Sequence, residues 1–281
     1  MKLASYIADG RPGFGVVSDT GVVTMNDRLQ GRFATLKDAL AANALGEIRR
    51  AAHGVRPDHE LRNIEFLPVI PNAQKILCVG INYRSHAAES GHAAAEKPNI
   101  FTKFTDTLLG HDATMLRPRA SVEFDYEGEL AVVIGKTGRA IKESSALDYV
   151  AGYTCANDGS VRDFIKASLI TGKNFPASTP IGPWMVTADE IPDPSRLTLT
   201  TRLNGQQVQH SGTDMLIHSV PAVIAYCSAF TELRPGDLIL TGTPDGVGAK
   251  RTPPLWMKAG DVLEVEITQI GTLRAHVADE R

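Results

Sequence analysis

Five consecutive apolar residues, Leu130 to Ile134, follow directly on the paired carboxylates Glu127 and Glu129. A strand with one wet face alternates apolar and polar residues, so an unbroken run of this length predicts a strand buried on both faces. On such a strand Glu127 and Glu129 project to one side, and Gly128 between them leaves the backbone open to close approach. Carboxylates at the mouth of a buried strand are costly unless paired or metal-bound. A second pair, Glu264 and Glu266, sits in an alternating run and reads as a solvent face. Spacing alone therefore leaves both a metal site and a solvated acidic edge open for Glu127 and Glu129.

The rest of the chain sets the frame for that strand. At 281 residues, 43% hydrophobic and with a formal net charge of −3, it is long enough for one large core with a small appendage. Its scattered lysines and arginines argue against nucleic acid as a partner. Asp9 and Gly10 interrupt the N-terminus before an apolar stretch of signal-peptide length, and no run reaches the roughly 18 residues of a membrane span. The expectation is a cytoplasmic protein with no membrane association. Cys78, Cys155 and Cys227 are far apart and lack C-x-x-C spacing, which fits buried small hydrophobes in a reducing compartment.

Residues 1–70 read as a small α+β domain. Short strands lie near Phe14–Val17 and Val22–Met25, followed by one helix capped by Thr35 with Leu36, Leu40 and Ile48 on its apolar side. Pro68 and Pro71 mark a linker near residue 70. Residues 71–281 read as β-rich, with strands near 75–80, 129–134, 197–203, 237–241, 261–267 and 273–277. Asn204-Gly205 supplies the positive φ angles of a tight hairpin turn, and Ser219 caps a helix whose apolar face is Val220, Val223, Ile224 and Cys227.

Other candidates for chemistry are spread along the chain. Asp158 is a third candidate ligand, although a lone aspartate before Gly159 is also an ordinary turn residue. An all-carboxylate site suits hard ions such as Mg²⁺, Mn²⁺ or Ca²⁺. His86 and Glu89, three apart on a helical turn, form either a general-base dyad or a surface contact. The remaining seven histidines, His92 among them, read as surface or structural. Lys173 is either an anchor for an anion or a solvated lysine. The loop Thr241–Gly248 offers backbone N–H groups and hydroxyls to a carboxylate. No nucleotide-binding glycine motif is present.

In order, the segments Val79–Glu89, Asp125–Lys136, Gly172–Phe175, Pro180–Trp184 and Leu240–Gly248 resemble the fumarylacetoacetate hydrolase family, over residues 75–278. The similarity is to its bacterial acylpyruvate- and fumarylpyruvate-cleaving members. It implies a mixed β-roll catalytic domain behind a small N-terminal α+β domain, usually as a homodimer. It also implies Glu127, Glu129 and Asp158 as ligands of Mg²⁺ or Mn²⁺, His86 and Glu89 as a water-activating dyad on a lid, and Lys173 as an active-site lysine. Thr243 matches a threonine that contacts the substrate carboxylate, while Lys103 lies in a family-like segment without an assigned role.

The implied substrates are 2-oxo or 2,4-dioxo acids, with the metal stabilising an enolate as a carbon–carbon bond breaks. Some oxaloacetate-decarboxylating and acylpyruvate-cleaving relatives carry an arginine and a glutamine where this chain has Ile81 and Ile165. That difference points to a longer or less polar dioxo acid, with Arg84 as a substitute anchor, and Gly128 bears on packing. The leading expectation is a hydrolase of a 2,4-dioxo acid. The alternatives are a decarboxylase, isomerase or hydratase acting on a related 2-oxo diacid, and a catalytically silent keto-acid sensor.

Overall fold

A computed structural model describes residues 1–91 and 93–281, so His92 lies outside the described residues. Alternating and apolar runs become strands β1 (Lys2–Ala8), β2 (Arg11–Val17), β3 (Val22–Thr24), β4 (Ile76–Gly80), β5 (Asn99–Thr102), β6 (Thr114–Arg117) and β7 (Gly128–Ile134). Beyond them come β8 (Val150–Asn157), β9 (Thr179–Thr187), β10 (Thr198–Leu203), β11 (Gln206–Gly212), β12 (Leu238–Leu240), β13 (Val262–Ile267) and β14 (Gly271–Asp279). The large sheet runs β3-β2-β1-β9-β8-β7-β12-β4-β5, and a second sheet runs β11-β10-β13-β14-β6. The architecture is the expected strand-rich α+β arrangement.

Every residue of β7 is buried. Leu130, Val132 and Ile134 pack with Leu199, Val265 and Leu273 of the second sheet and with the helix α6 (Val220–Phe230). Ala131 and Val133 face the opposite way, into a core with Leu3, Phe14, Leu36 and Ile48. The unbroken apolar run thus has its physical cause in two cores, one on each face of a single strand. Full burial of each large aliphatic side chain contributes about 1.5–3 kcal/mol, so β7 is a stiff mount for whatever precedes it.

The N-terminal residues extend the large sheet, because β1 pairs with β9 through Lys2↔Val186 and Leu3↔Met185. One expectation fails here. The single helix after Thr35 is two: α1 (Leu36–Ala41), with a capping box between Thr35 and Asp38, and α2 (Leu45–Ala52). Asn43 at φ 53° ends the first, a left-handed conformation that asparagine tolerates better than most residues. Leu40 and Ile48 still reach one core. The hairpin stands as read, with Asn204 and Gly205 at φ 54° and 77° joining β10 to β11. Ser219 caps α6 by accepting from the Ala222 N–H. Among the described residues no helix is long and apolar enough to cross a membrane.

Where the sheets meet, a Cβ on Gly128 would lie 2.1 Å from Thr201 Oγ1 on β10. Gly128→Ala is expected to destabilise the protein by about 1–3 kcal/mol through overpacking. In a Thr201→Ala background the two losses should fall short of additivity by about 1 kcal/mol or more, because the obstructing hydroxyl is gone. Urea unfolding of the four proteins checks this, and strictly additive losses would refute the contact.

Candidate metal centre and its cavity

β7 and β8 pair antiparallel with Gly128 opposite Asn157, which brings the residues just before β7 and just after β8 together. The Asp158 N–H donates to the Glu127 carbonyl at 2.8 Å, and the Glu127 N–H donates to Asn157 Oδ1 at 2.9 Å. Glu127, Glu129 and Asp158 consequently converge, with one oxygen of each within 4.8 Å of the others and all three buried.

Three buried or nearly buried cations answer them. Lys173, at the end of α5 (Leu169–Lys173), donates to Glu127 Oε2 at 2.6 Å and to Asp158 Oδ2 at 2.7 Å. Lys103 donates to Asp158 Oδ1 at 2.7 Å and to the carbonyls of Gly159 and Lys173. Arg162, the first residue of α4 (Arg162–Ile165), bonds Asp125 through Nε at 2.7 Å and reaches Glu127 Oε1 at 2.6 Å. Sequence reasoning missed Arg162 and Asp125 and gave Lys103 no role. The alternation Asp125-x-Glu127-x-Glu129 is a usable signal for Asp125, whereas nothing local marks the two cations.

Glu129 differs from its neighbours. Among the described residues it has no cationic partner, and its Oε2 accepts only the Gly242 N–H, at 2.7 Å. Burial, reinforced by the Asp158 and Glu127 carboxylates, pushes its carboxyl well above the usual range. Burial also acts to raise Glu127, but the Lys173 ammonium and the Arg162 guanidinium outweigh it and hold that carboxyl down to about 2. The Lys173 ammonium is desolvated too, yet Asp158 and Glu127 hold its proton more firmly than usual. Three converging carboxylates, one of them under-neutralised, are a donor set that fits a hard divalent cation.

His86 lies on α3 (Arg84–Ser90), with Nδ1 3.2 Å from Glu89 Oε2. Glu89 is held from its other oxygen by the Gly246 N–H at 2.9 Å. The same loop supplies N–H donors to Asp125, from Gly248 at 2.8 Å and Ala249 at 3.0 Å. Those amides, expected to meet an incoming carboxylate, instead hold the protein's own. Gly242 and Gly246 sit at φ 100° and 92°, and a Cβ on Gly246 would lie 2.2 Å from the Val208 carbonyl, so only glycine serves there.

A cavity of about 270 Å³ opens on this cluster, reached by His86, Glu127, Asp158, Lys173 and Thr243. The Thr243 hydroxyl donates to the Gly128 carbonyl at 3.0 Å and accepts from Gln209 at 2.8 Å. Ile81 and Ile165 both line the cavity. Arg84 is exposed and is not among the residues lining the cavity.

Residues 75–278 match the family model described as fumarylacetoacetate (FAA) hydrolase C-terminal. The chain is 44% identical over 215 residues to the mitochondrial oxaloacetate tautomerase fahd2 of Xenopus laevis, covering 75% of this chain and 67% of that protein. The fold matches a fumarylacetoacetate hydrolase from Exiguobacterium antarcticum with a TM-score of 0.87 at 32% identity. It also matches maleylpyruvate hydrolase from Sphingobium sp. SYK-6, in complex with manganese(II) ion and pyruvate, with a TM-score of 0.84 at 28% identity. Both structural matches cover 100% of each chain.

The opposed carboxyl shifts set a pH dependence. The folded pKa of Glu129 is raised above 4.5, so its contribution to stability is fully present below that pH and is lost as pH rises through the raised value. The Glu127 contribution is present above 4.5 and is lost as pH falls toward about 2. The chelator-treated protein is expected to show a higher urea midpoint at about pH 5 than at about pH 8, with Glu129→Gln removing most of the difference. Equal midpoints in the parent protein would overturn this.

Proposed function

We propose a reaction from one premise: the chain belongs to the fumarylacetoacetate hydrolase family. Within it, the protein is a divalent-metal-dependent hydrolase that cleaves a carbon–carbon bond of a 2,4-dioxo acid. The observation that carries this reading is His86 on the same cavity as Glu127 and Asp158, backed by Glu89, which Gly246 latches.

Glu127, Glu129 and Asp158 would hold Mg²⁺ or Mn²⁺, in keeping with the manganese-bound relative. When bound, such an ion supplies Lewis-acid stabilisation of negative charge at the 2-oxo acid end of the substrate. The remaining work falls to side chains. With its Nδ1–H donated to Glu89, His86 keeps Nε2 as a base and Glu89 stabilises the imidazolium that forms. His86 takes a proton from water and the hydroxide adds to the C4 carbonyl carbon. The C3–C4 bond then breaks with its electron pair left on the pyruvate fragment as an enolate, and the proton held by His86 returns to C3. The products are pyruvate and a carboxylic acid. The Lys173 ammonium favours the negative charge that builds during cleavage, and the Thr243 side of the cavity receives the substrate carboxylate.

The 44% identity to an oxaloacetate tautomerase favours a second reading, keto–enol isomerisation of a 2-oxo diacid. There His86 would move a proton between C3 and the 2-oxo oxygen with no attack by water. The Ile81 and Ile165 walls favour a longer or less polar dioxo acid than oxaloacetate instead. A homodimer fits the same reading, as does a reducing, cytoplasmic setting for three free cysteines.

Metal-stripped protein restored with Mg²⁺ or Mn²⁺ is expected to release pyruvate and a second acid from acetylpyruvate or fumarylpyruvate. Enol conversion of oxaloacetate without cleavage of either dioxo acid would replace hydrolysis by the second reading. His86→Ala should lower hydrolytic kcat by about 10²–10⁴-fold with Mn²⁺ affinity near that of the parent. Retention of full activity in that variant would sink the assigned role. Sedimentation velocity at micromolar concentration should show dimers, and monomers there would refute the dimer.

A further inference from the structure

Three cationic side chains reach the cavity wall: Arg162, Lys173 and Lys250. The first two are engaged by protein carboxylates, Arg162 by Asp125 and Glu127 and Lys173 by Glu127 and Asp158. Lys250 alone is exposed at the cavity and has no ion pair among the described residues. The same wall includes Ile81, Ile165 and Phe101, which suit a carbon chain but offer nothing to an anion.

Its side chain is exposed, but its backbone is tightly placed. Lys250 closes the short 3-10 turn Gly248–Lys250, and the two residues before it donate their N–H groups to Asp125. The residue after it, Arg251, bonds the Tyr126 hydroxyl, the Gly246 carbonyl and the Val208 carbonyl at 3.0, 3.1 and 2.6 Å. Asp125 also binds Arg162, which pairs with Glu127. The root of Lys250 is therefore fixed relative to the carboxylate cluster through a chain of charge-assisted hydrogen bonds.

We propose that Lys250 anchors a second carboxylate on the substrate, distal to the end held near Glu127, Glu129 and Asp158, so that the preferred substrate is a 2,4-dioxo diacid rather than a monoacid. The inference rests on the hydrolase reading and narrows its substrate class. A monoacid would leave this ammonium with no counterpart, whereas a diacid would pair it at the mouth of the cavity. Lys250 acts on binding and not on bond breaking, so its loss should appear in KM.

The test compares fumarylpyruvate, a diacid, with acetylpyruvate, a monoacid, on Mn²⁺-loaded parent protein, Lys250→Met and Lys250→Arg. Lys250→Met is expected to raise KM for the diacid about tenfold with kcat within about twofold, and to leave KM for the monoacid unchanged; Lys250→Arg should retain the diacid preference. A diacid-to-monoacid ratio of kcat/KM equal in Lys250→Met and parent would overturn the proposal. Calorimetric titration of the same Mn²⁺-loaded proteins with 2-oxoglutarate and 2-oxobutyrate gives a second ratio that needs no turnover. If the parent cleaves neither dioxo acid, the hydrolase reading fails, and the shift in this binding ratio, or its absence, still decides the role of Lys250.

Discussion

Four backbone N–H groups between Gly242 and Ala249 hold three carboxylates in and around the cluster: Glu129, Glu89 and Asp125. Hydrogen bonds to an ionised acceptor are worth about 1.5–3 kcal/mol, and leaving a buried carboxylate without them costs more. One loop thereby sets the candidate metal ligand on β7, the partner of the candidate base on α3, and the acid that ties Arg162 into the cluster. The left-handed turns at Gly242 and Gly246 aim those amides.

Charge balance explains the residues gathered around that loop. Asp125, Glu127, Glu129 and Asp158 carry four carboxyl groups, whereas Lys103, Arg162 and Lys173 supply three cations. Glu129 is left over, and a proton or a divalent cation must answer it. The pairing also separates two kinds of lysine. Lys173 and Lys103 are fixed by the protein's own acids, while Lys250 keeps its charge for something from outside.

The sequence revealed much of this where the physics is local. An apolar run betrays a strand buried twice, Asn-Gly betrays a hairpin, and a capped apolar stripe betrays α6, because each signal lies within a dozen residues. The helix after Thr35 breaks at Asn43, where one left-handed residue ends α1 without disturbing the apolar spacing on either side, so the spacing alone reads as one helix. Lys103 and Arg162 were illegible for a different reason. Lys103 meets Asp158 across 55 residues and Arg162 meets Asp125 across 37, and isolated cations of this kind have no pattern of their own. The loop amides were legible as donors, but their acceptors were not, since only the fold brings Glu89 and Asp125 to them.

The position of β1 beside β9 has a consequence for how the chain is made. Lys2 pairs with Val186, and the terminal amine is sealed by Thr187 Oγ1 and by Glu190, each at 2.7 Å. At about 5–20 residues per second, the ribosome takes roughly 10–40 s to deliver those partners after the first strand emerges. Throughout that interval only the Lys2–Leu3 end of β1 is an unpaired edge, because Tyr6 and Ile7 pair with Phe66 and Glu65, which are made far earlier. That exposure belongs to synthesis alone, and it ends when the first strand closes onto β9.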